Sequence, residues 1–112
     1  MAIEVTITAN GIEVIDSEKA GGPVTVRMPD TTLLVEGTTA SVLNKSLAGT
    51  TGVTFQSNAG SSADELINPT SRGSAPASTT GSIVVTRAYI QWILIKTGHV
   101  NPTWYVQHYE AQ

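Results

Sequence analysis

Ser82-Ile83-Val84-Val85-Thr86-Arg87-Ala88-Tyr89-Ile90-Gln91-Trp92-Ile93-Leu94-Ile95-Lys96 is the longest apolar run of the chain. A turn-like Thr97-Gly98-His99-Val100-Asn101-Pro102 follows it, and then Thr103-Trp104-Tyr105-Val106-Gln107-His108-Tyr109. Both Trp residues and all three Tyr residues fall between 89 and 109. Side chains alternate faces along a strand. One face of the run therefore carries Ile83, Val85, Arg87, Tyr89, Gln91, Ile93 and Ile95, and the other Val84, Thr86, Ala88, Ile90, Trp92, Leu94 and Lys96. Both faces are largely apolar around 90–95, which is the pattern of a strand covered on two sides. An antiparallel sandwich covers one side; the other needs a helix, a loop or another protomer. Arg87 interrupts the run, either as a break or edge position with its stem packed and its head in water, or as half of an inter-subunit ion pair.

Working outward, short strand patterns recur along the whole chain. Ile3, Val5 and Ile7 alternate with Glu4, Thr6 and Thr8. Asn10-Gly11 is a strong hairpin signal because both residues tolerate positive φ. Ile12-Glu13-Val14-Ile15 then reads as the returning partner strand. Ala20-Gly21-Gly22-Pro23 breaks the chain, Val24-Thr25-Val26-Arg27-Met28 alternates again, and Pro29-Asp30 turns into a further strand over Thr31–Glu36. Residues 39–49 fit a short helix capped by Thr39 and closed by Gly49 nearly as well as a strand. Gly52–Gln56 is another short strand.

Residues 57–81 are Ser, Asn, Ala, Gly, Pro and Thr around one apolar knot, Leu66-Ile67. Ser62 with Glu65 suits a capping box over a single helical turn. The segment is expected to be a long polar loop or arm, and loops of that length in small domains are functional or disordered. About seven or eight strands at this spacing, with no helical stretch between them, predict one all-β domain over 1–112: an antiparallel β-sandwich or jelly-roll-like small barrel with at most one short helix.

Composition narrows the function classes. Charged residues make up 13% of the chain, against about 25% in an average soluble domain. The six basic residues are scattered and the net charge is −3, so the clustered footprint that neutralises nucleic-acid phosphates is missing. No apolar run is long enough to span a membrane. With no cysteine there is no disulfide framework, no Cys-based zinc site and no thiol nucleophile. Met1-Ala2-Ile3-Glu4-Val5 is not a signal peptide, which predicts synthesis in a cytoplasm.

Chemistry-bearing motifs are sparse. His99 and His108 stand outside any metal-ligand spacing, and Asp16-Ser17-Glu18 lacks the further oxygens and the glycine of a calcium loop. Gly49-Thr50-Thr51-Gly52 has no phosphate-binding Lys, and no nucleophile elbow or dinucleotide fingerprint occurs. No catalytic residue, metal site or cofactor is expected, and the chain does not read as an enzyme. Two binding readings remain. The double-faced strand makes Tyr89, Ile90, Trp92, Leu94 and Arg87 candidates for an interface between subunits. An aromatic row could instead stack on sugar rings, with Trp104, Tyr105 and Tyr109 as candidates beside Trp92.

The tail Ile90-Gln91-Trp92-Ile93-Leu94-Ile95-Lys96-Thr97-Gly98 with Thr103-Trp104-Tyr105-Val106 resembles the closing strands of bacteriophage virion surface proteins: fibre tips, knobs and head-decoration modules. The Thr/Ser/Gly-rich, cysteine-free body is similar to them too. The resemblance covers about 25 residues, and such modules share no catalytic residues to carry over. It implies a small β-rich virion component made in a host cytoplasm, a homo-oligomer with the trimer favoured, bound to a major capsid or other virion protein. A chain of this size starting at Met1 is expected to be a stand-alone decoration or cement protein rather than a fibre tip. The alternative is a carbohydrate-binding or receptor-binding module of a tail fibre tip.

Overall fold

The computed structural model describes residues 3–16, 24–45, 53–67, 78–80, 82–85 and 89–110. They form ten strands: β1 (Ile3–Thr6), β2 (Ile12–Ile15), β3 (Val24–Arg27), β4 (Thr39–Asn44), β5 (Val53–Gln56), β6 (Glu65–Ile67), β7 (Ser78–Thr80), β8 (Ser82–Val85), β9 (Tyr89–Ile95) and β10 (Thr103–Glu110). A single 3-10 turn, Ala59–Ser61, is capped by the Asn58 side chain, which accepts from the Gly60 amide. The strands make two sheets, one of order β1-β3-β5-β8 and one of order β2-β4-β9-β10-β6-β7. The all-β, two-sheet architecture is the one the strand spacing calls for, and 39–44 resolves as strand rather than helix.

Strand direction is mixed rather than antiparallel throughout. From β1 to β6 the chain changes sheet at every step. Strands that pair within a sheet are therefore two apart in sequence, and each return trip makes them parallel: β1 with β3, β3 with β5, and β2 with β4. Asn10-Gly11 accordingly closes no hairpin. Asn10 does take the left-handed conformation, φ 61°, but the turn is a corner between layers, with Gly11 N–H bonded to the Thr8 carbonyl at 3.1 Å. Asn10 ties that corner to the start of β4: its N–H donates to the Thr39 carbonyl at 2.6 Å and its Oδ1 accepts from the Thr39 amide at 3.0 Å.

The heart of the larger sheet is antiparallel. β9 pairs with β4 through Ala40–Trp92 and Val42–Ile90, and with β10 through Trp104–Leu94 and Val106–Trp92. A bulge between Val106 and His108 shifts that second register. The inward faces of the two sheets close one core in which Val26, Met28, Ala40, Leu66, Trp92, Leu94 and Trp104 are fully buried. The Phe55 ring of the smaller sheet meets Trp92 of the larger one at 5.5 Å, tilted by 55°, a favoured aromatic geometry.

The strand expected over Thr31–Glu36 is a loop instead. Asp30 Oδ1 accepts from the Thr32 amide at 3.0 Å and from its hydroxyl at 2.6 Å. Short polar side chains at such a site turn the backbone away from a ladder. Leu34 N–H then bonds to Thr31 O at 3.1 Å and Thr38 N–H to Val35 O at 3.2 Å, making two consecutive turns. Only Leu34 packs against the core. The loop or arm expected over 57–81 contains the 3-10 turn, β6 and β7, so both its ends are joined to structured backbone; 68–77 and 81 lie outside the described residues.

Candidate interaction surface

The outer face of the larger sheet is laid out by its register. One row crosses Val14, Leu43 and Tyr89, a second Ile12, Ser41 and Gln91, and a third Thr39, Ile93 and Tyr105. β2, β4 and β9 place no charged residue on this face. Ile12 is 65% exposed, Val14 51% and Leu43 38%. Between β9 and β10 the face dips into an open depression of about 270 Å³ lined by Ile93, Ile95, Tyr105, Val106 and Gln107. Tyr105 is fixed at its edge: its hydroxyl shares a 2.9 Å hydrogen bond with His99 Nε2, and the two rings lie 5.5 Å apart.

At the end of the sandwich beyond Ile95, three loops are laced together by polar side chains. Thr31 donates its hydroxyl to Asp64 Oδ2 at 2.7 Å, and its amide to Ser61 Oγ at 3.3 Å. Lys96 Nζ donates to Thr31 O at 3.1 Å, and Asn58 Nδ2 to Met28 O at 3.1 Å. Glu36 Oε1 accepts the amides of Thr97 and Lys96 at 2.6 and 2.7 Å, and Gly37 N–H reaches Leu94 O at 2.8 Å. Gly37 and Gly98 supply the positive φ, 93° and 82°, that these turns require. A Cβ on Gly60 would overlap the Asp30 carboxylate, so the loops touch there as well.

The electrostatics follow from this lacing. Hydrogen bonds from the Thr32 hydroxyl and amide hold the Asp30 carboxyl below its ordinary value of 3.8. The Thr97 and Lys96 amides hold Glu36 below 4.5. Asp64 goes the other way, pushed above 3.8 by burial against the opposing pull of the Thr31 and Ser61 hydroxyls. Out of this fixed frame stand Leu33, 92% exposed, Val35, 74% exposed, and, on the neighbouring turn, Val100, wholly exposed.

Of the residues expected at a subunit interface, Ile90, Trp92 and Leu94 point inward and are buried within the chain's own core. They are corrected to core residues, because the smaller sheet covers that face. Tyr89 is half-buried on the outer face with Gln91, Ile93 and Ile95; Arg87 lies outside the described residues. Of the expected stacking row, Trp104 is fully buried, again a correction. Tyr105 is half-exposed, and Tyr109 stands opposite Ile90 in β10. Among the described residues no three His, Asp or Glu side chains come together as a metal-holding group. Sequence reasoning missed Ile12, Val14, Leu33, Val35 and Leu43 as exposed apolar positions. No family model, curated protein or solved structure matches this chain.

Proposed function

We propose that this chain is a non-enzymatic structural protein that works by protein–protein association: a virion surface component of the capsid-decoration type that forms a homo-oligomer and stabilises a symmetric protein lattice. The outer face of β2, β4 and β9, which has no charged residue, carries this reading. β9, apolar on both faces, has one face in the core and the other, with Ile93 and Ile95, half-exposed beside Tyr105 of β10. Exposed apolar area of this kind marks association surfaces. The setting in a virion comes from the resemblance of the tail. A sugar-stacking platform has less to stand on, since both Trp rings are buried.

Native mass spectrometry and glycan-array binding of the full chain test the proposal together. A discrete oligomer with no glycan signal is expected. A monomer that binds sugars would overturn it.

A further inference from the structure

Asn10-Gly11 is the one Asn-Gly pair in the chain, and Asn10 is exposed. The pair is distinctive in its chemistry as well as its conformation. Glycine has no Cβ, so its backbone nitrogen can close on the side-chain carbonyl carbon of the residue before it. From the bonds around this pair we infer that Asn10 is a site of spontaneous deamidation, held off while the corner between β1 and β2 is closed and released when the corner opens. This stands independently of the association reading.

The step needs water and nothing else. Gly11 N gives its proton to a solvent base, and its electron pair bonds to Asn10 Cγ. The Cγ–Nδ2 bond breaks, and Nδ2 takes up a proton and leaves as ammonia. A cyclic imide remains. Water opens it at Cγ to give aspartate, or at the main-chain carbonyl carbon to give isoaspartate, whose main chain runs through the former side chain.

The closed corner engages both reacting groups in other bonds. Gly11 N–H donates to Thr8 O at 3.1 Å. Asn10 is held on β4, its N–H donating to Thr39 O at 2.6 Å and its Oδ1 accepting from the Thr39 amide at 3.0 Å and the Thr39 hydroxyl at 3.4 Å. Cyclisation must remove the proton that makes the first bond and release the carboxamide from the others. The donors on Oδ1 also polarise the carbonyl that would be attacked. Polarisation speeds nothing until nucleophile and carbon are in line, so orientation decides and the closed corner is the slow state.

The same bonds say what conversion does. The Asn10–Thr39 clamp lies in the register that continues as Ile12–Ser41 and Val14–Leu43. β2 stands at the edge of its sheet with β4 as its neighbour, so the clamp begins the ladder that holds it. Isoaspartate lengthens the main chain between clamp and ladder. Aspartate keeps an oxygen for the Thr39 amide and tolerates the left-handed conformation.

Incubating the full chain at mildly alkaline pH, with and without guanidinium chloride, tests this after tryptic digestion. The peptide Met1–Lys19 holds Asn10 as its only side-chain amide, so a gain in its mass reports this residue alone, and electron-transfer fragmentation separates isoaspartate from aspartate. Conversion should be roughly tenfold or more slower in the native chain than in denaturant, because several hydrogen bonds must open first. Gly11→Ala should slow it in denaturant. A Cβ there would lie 3.4 Å from Thr8 O and 3.5 Å from Thr8 Cβ, ordinary contact that leaves the fold intact. Isoaspartyl chains returned from denaturant should melt below wild type, and Asn10→Asp close to it. The inference is overturned if the peptide stays unconverted in denaturant, if the native chain converts as fast as the unfolded one, or if isoaspartyl and wild-type chains melt together.

Discussion

Replacing Trp92 with alanine should cost on the order of 4 kcal/mol of folding stability, and the cost should belong to the single folded chain. Trp92 is fully buried, flanked in register by Ala40 and Val106, and its ring meets Phe55 at 5.5 Å. A buried Trp removes ~200–250 Å² from water, worth about 5 kcal/mol at ~25 cal/mol per Å² as an upper bound. Losing the aromatic pair adds roughly 1 kcal/mol. Against this, the buried Trp92 Nε1 has no hydrogen-bond partner. An unsatisfied buried donor costs about 1–3 kcal/mol, which the substitution relieves. The balance falls within the ~3–5 kcal/mol found when large aromatics are truncated in cores, and it is a large share of the ~5–15 kcal/mol that holds a domain folded. Trp92→Phe keeps a ring against Phe55 and discards the unpaired N–H, so it should cost only about 1 kcal/mol. Urea unfolding of the three proteins at two concentrations tenfold apart checks this. With a slope of ~1–3 kcal/mol per molar urea, the alanine variant should lose about 2 M in midpoint. Its difference from wild type should be the same at both concentrations. A loss below about 2 kcal/mol, or a difference that grows as the protein is concentrated, would refute the assignment of Trp92 to the core.

Ile12→Lys with Val14→Lys should leave the thermal melt within a few degrees of wild type while lowering the native mass, because both positions are more than half exposed and face outward. Asn10→Ala should destabilise by roughly 1–2 kcal/mol in the same urea assay, since it forces a β-carbon into the left-handed region and removes the bond to Thr39; Asn10→Gly loses only the bond and should cost less. Stability should fall in acid through Asp30 and Glu36. Their folded values are lowered, so their contribution is present above 3.8 and 4.5 and is lost as pH drops through the folded values. Asp64 has the opposite sign. Its folded value is raised above 3.8, so its contribution is present at low pH and lost as pH rises through that value. Asp64→Asn, which retains an oxygen for the Thr31 hydroxyl, should flatten the rise of stability's cost with pH in melts from pH 3 to 7 and leave the acid-side loss in place.

The strands were legible where a period of two survives, as in β3 and β5, where Val24, Val26, Val53 and Phe55 turn inward and Thr, Arg or Gln alternates with them. Their partners were not. A period-2 pattern says which side of a strand is apolar and nothing about which strand lies beside it. Asn10-Gly11 shows the gap well. The left-handed φ that suits a tight hairpin also suits a corner between layers, and the choice is made by the Asn10–Thr39 bonds across 29 residues. The same limit applies to β9. Ile90 and Leu94 on one face are no more apolar than Ile93 and Ile95 on the other, so the run declares two covered faces without saying which cover is the chain's own.

Leu33 and Val35 carry that point further. Read as a run, Thr31-Thr32-Leu33-Leu34-Val35-Glu36 is a strand, because aliphatic residues favour pleated, half-buried surfaces. What overrides it is polar. The Asp30 carboxylate takes the Thr32 amide, Thr31 is held by Asp64, Ser61 and Lys96, and Glu36 takes two amides from a turn 60 residues away. Apart from the local Asp30–Thr32 turn, each of these bonds joins residues 30 or more apart in sequence, which no local pattern pairs. Leaving a Leu and a Val in water forfeits roughly 1.5–3 kcal/mol apiece relative to burial, and Leu34 between them shows that the loop reaches the core when its geometry allows. The directed bonds fix the path of the loop, and that path, rather than the apolar character of the run, decides that Leu34 turns to the core while Leu33 and Val35 face solvent.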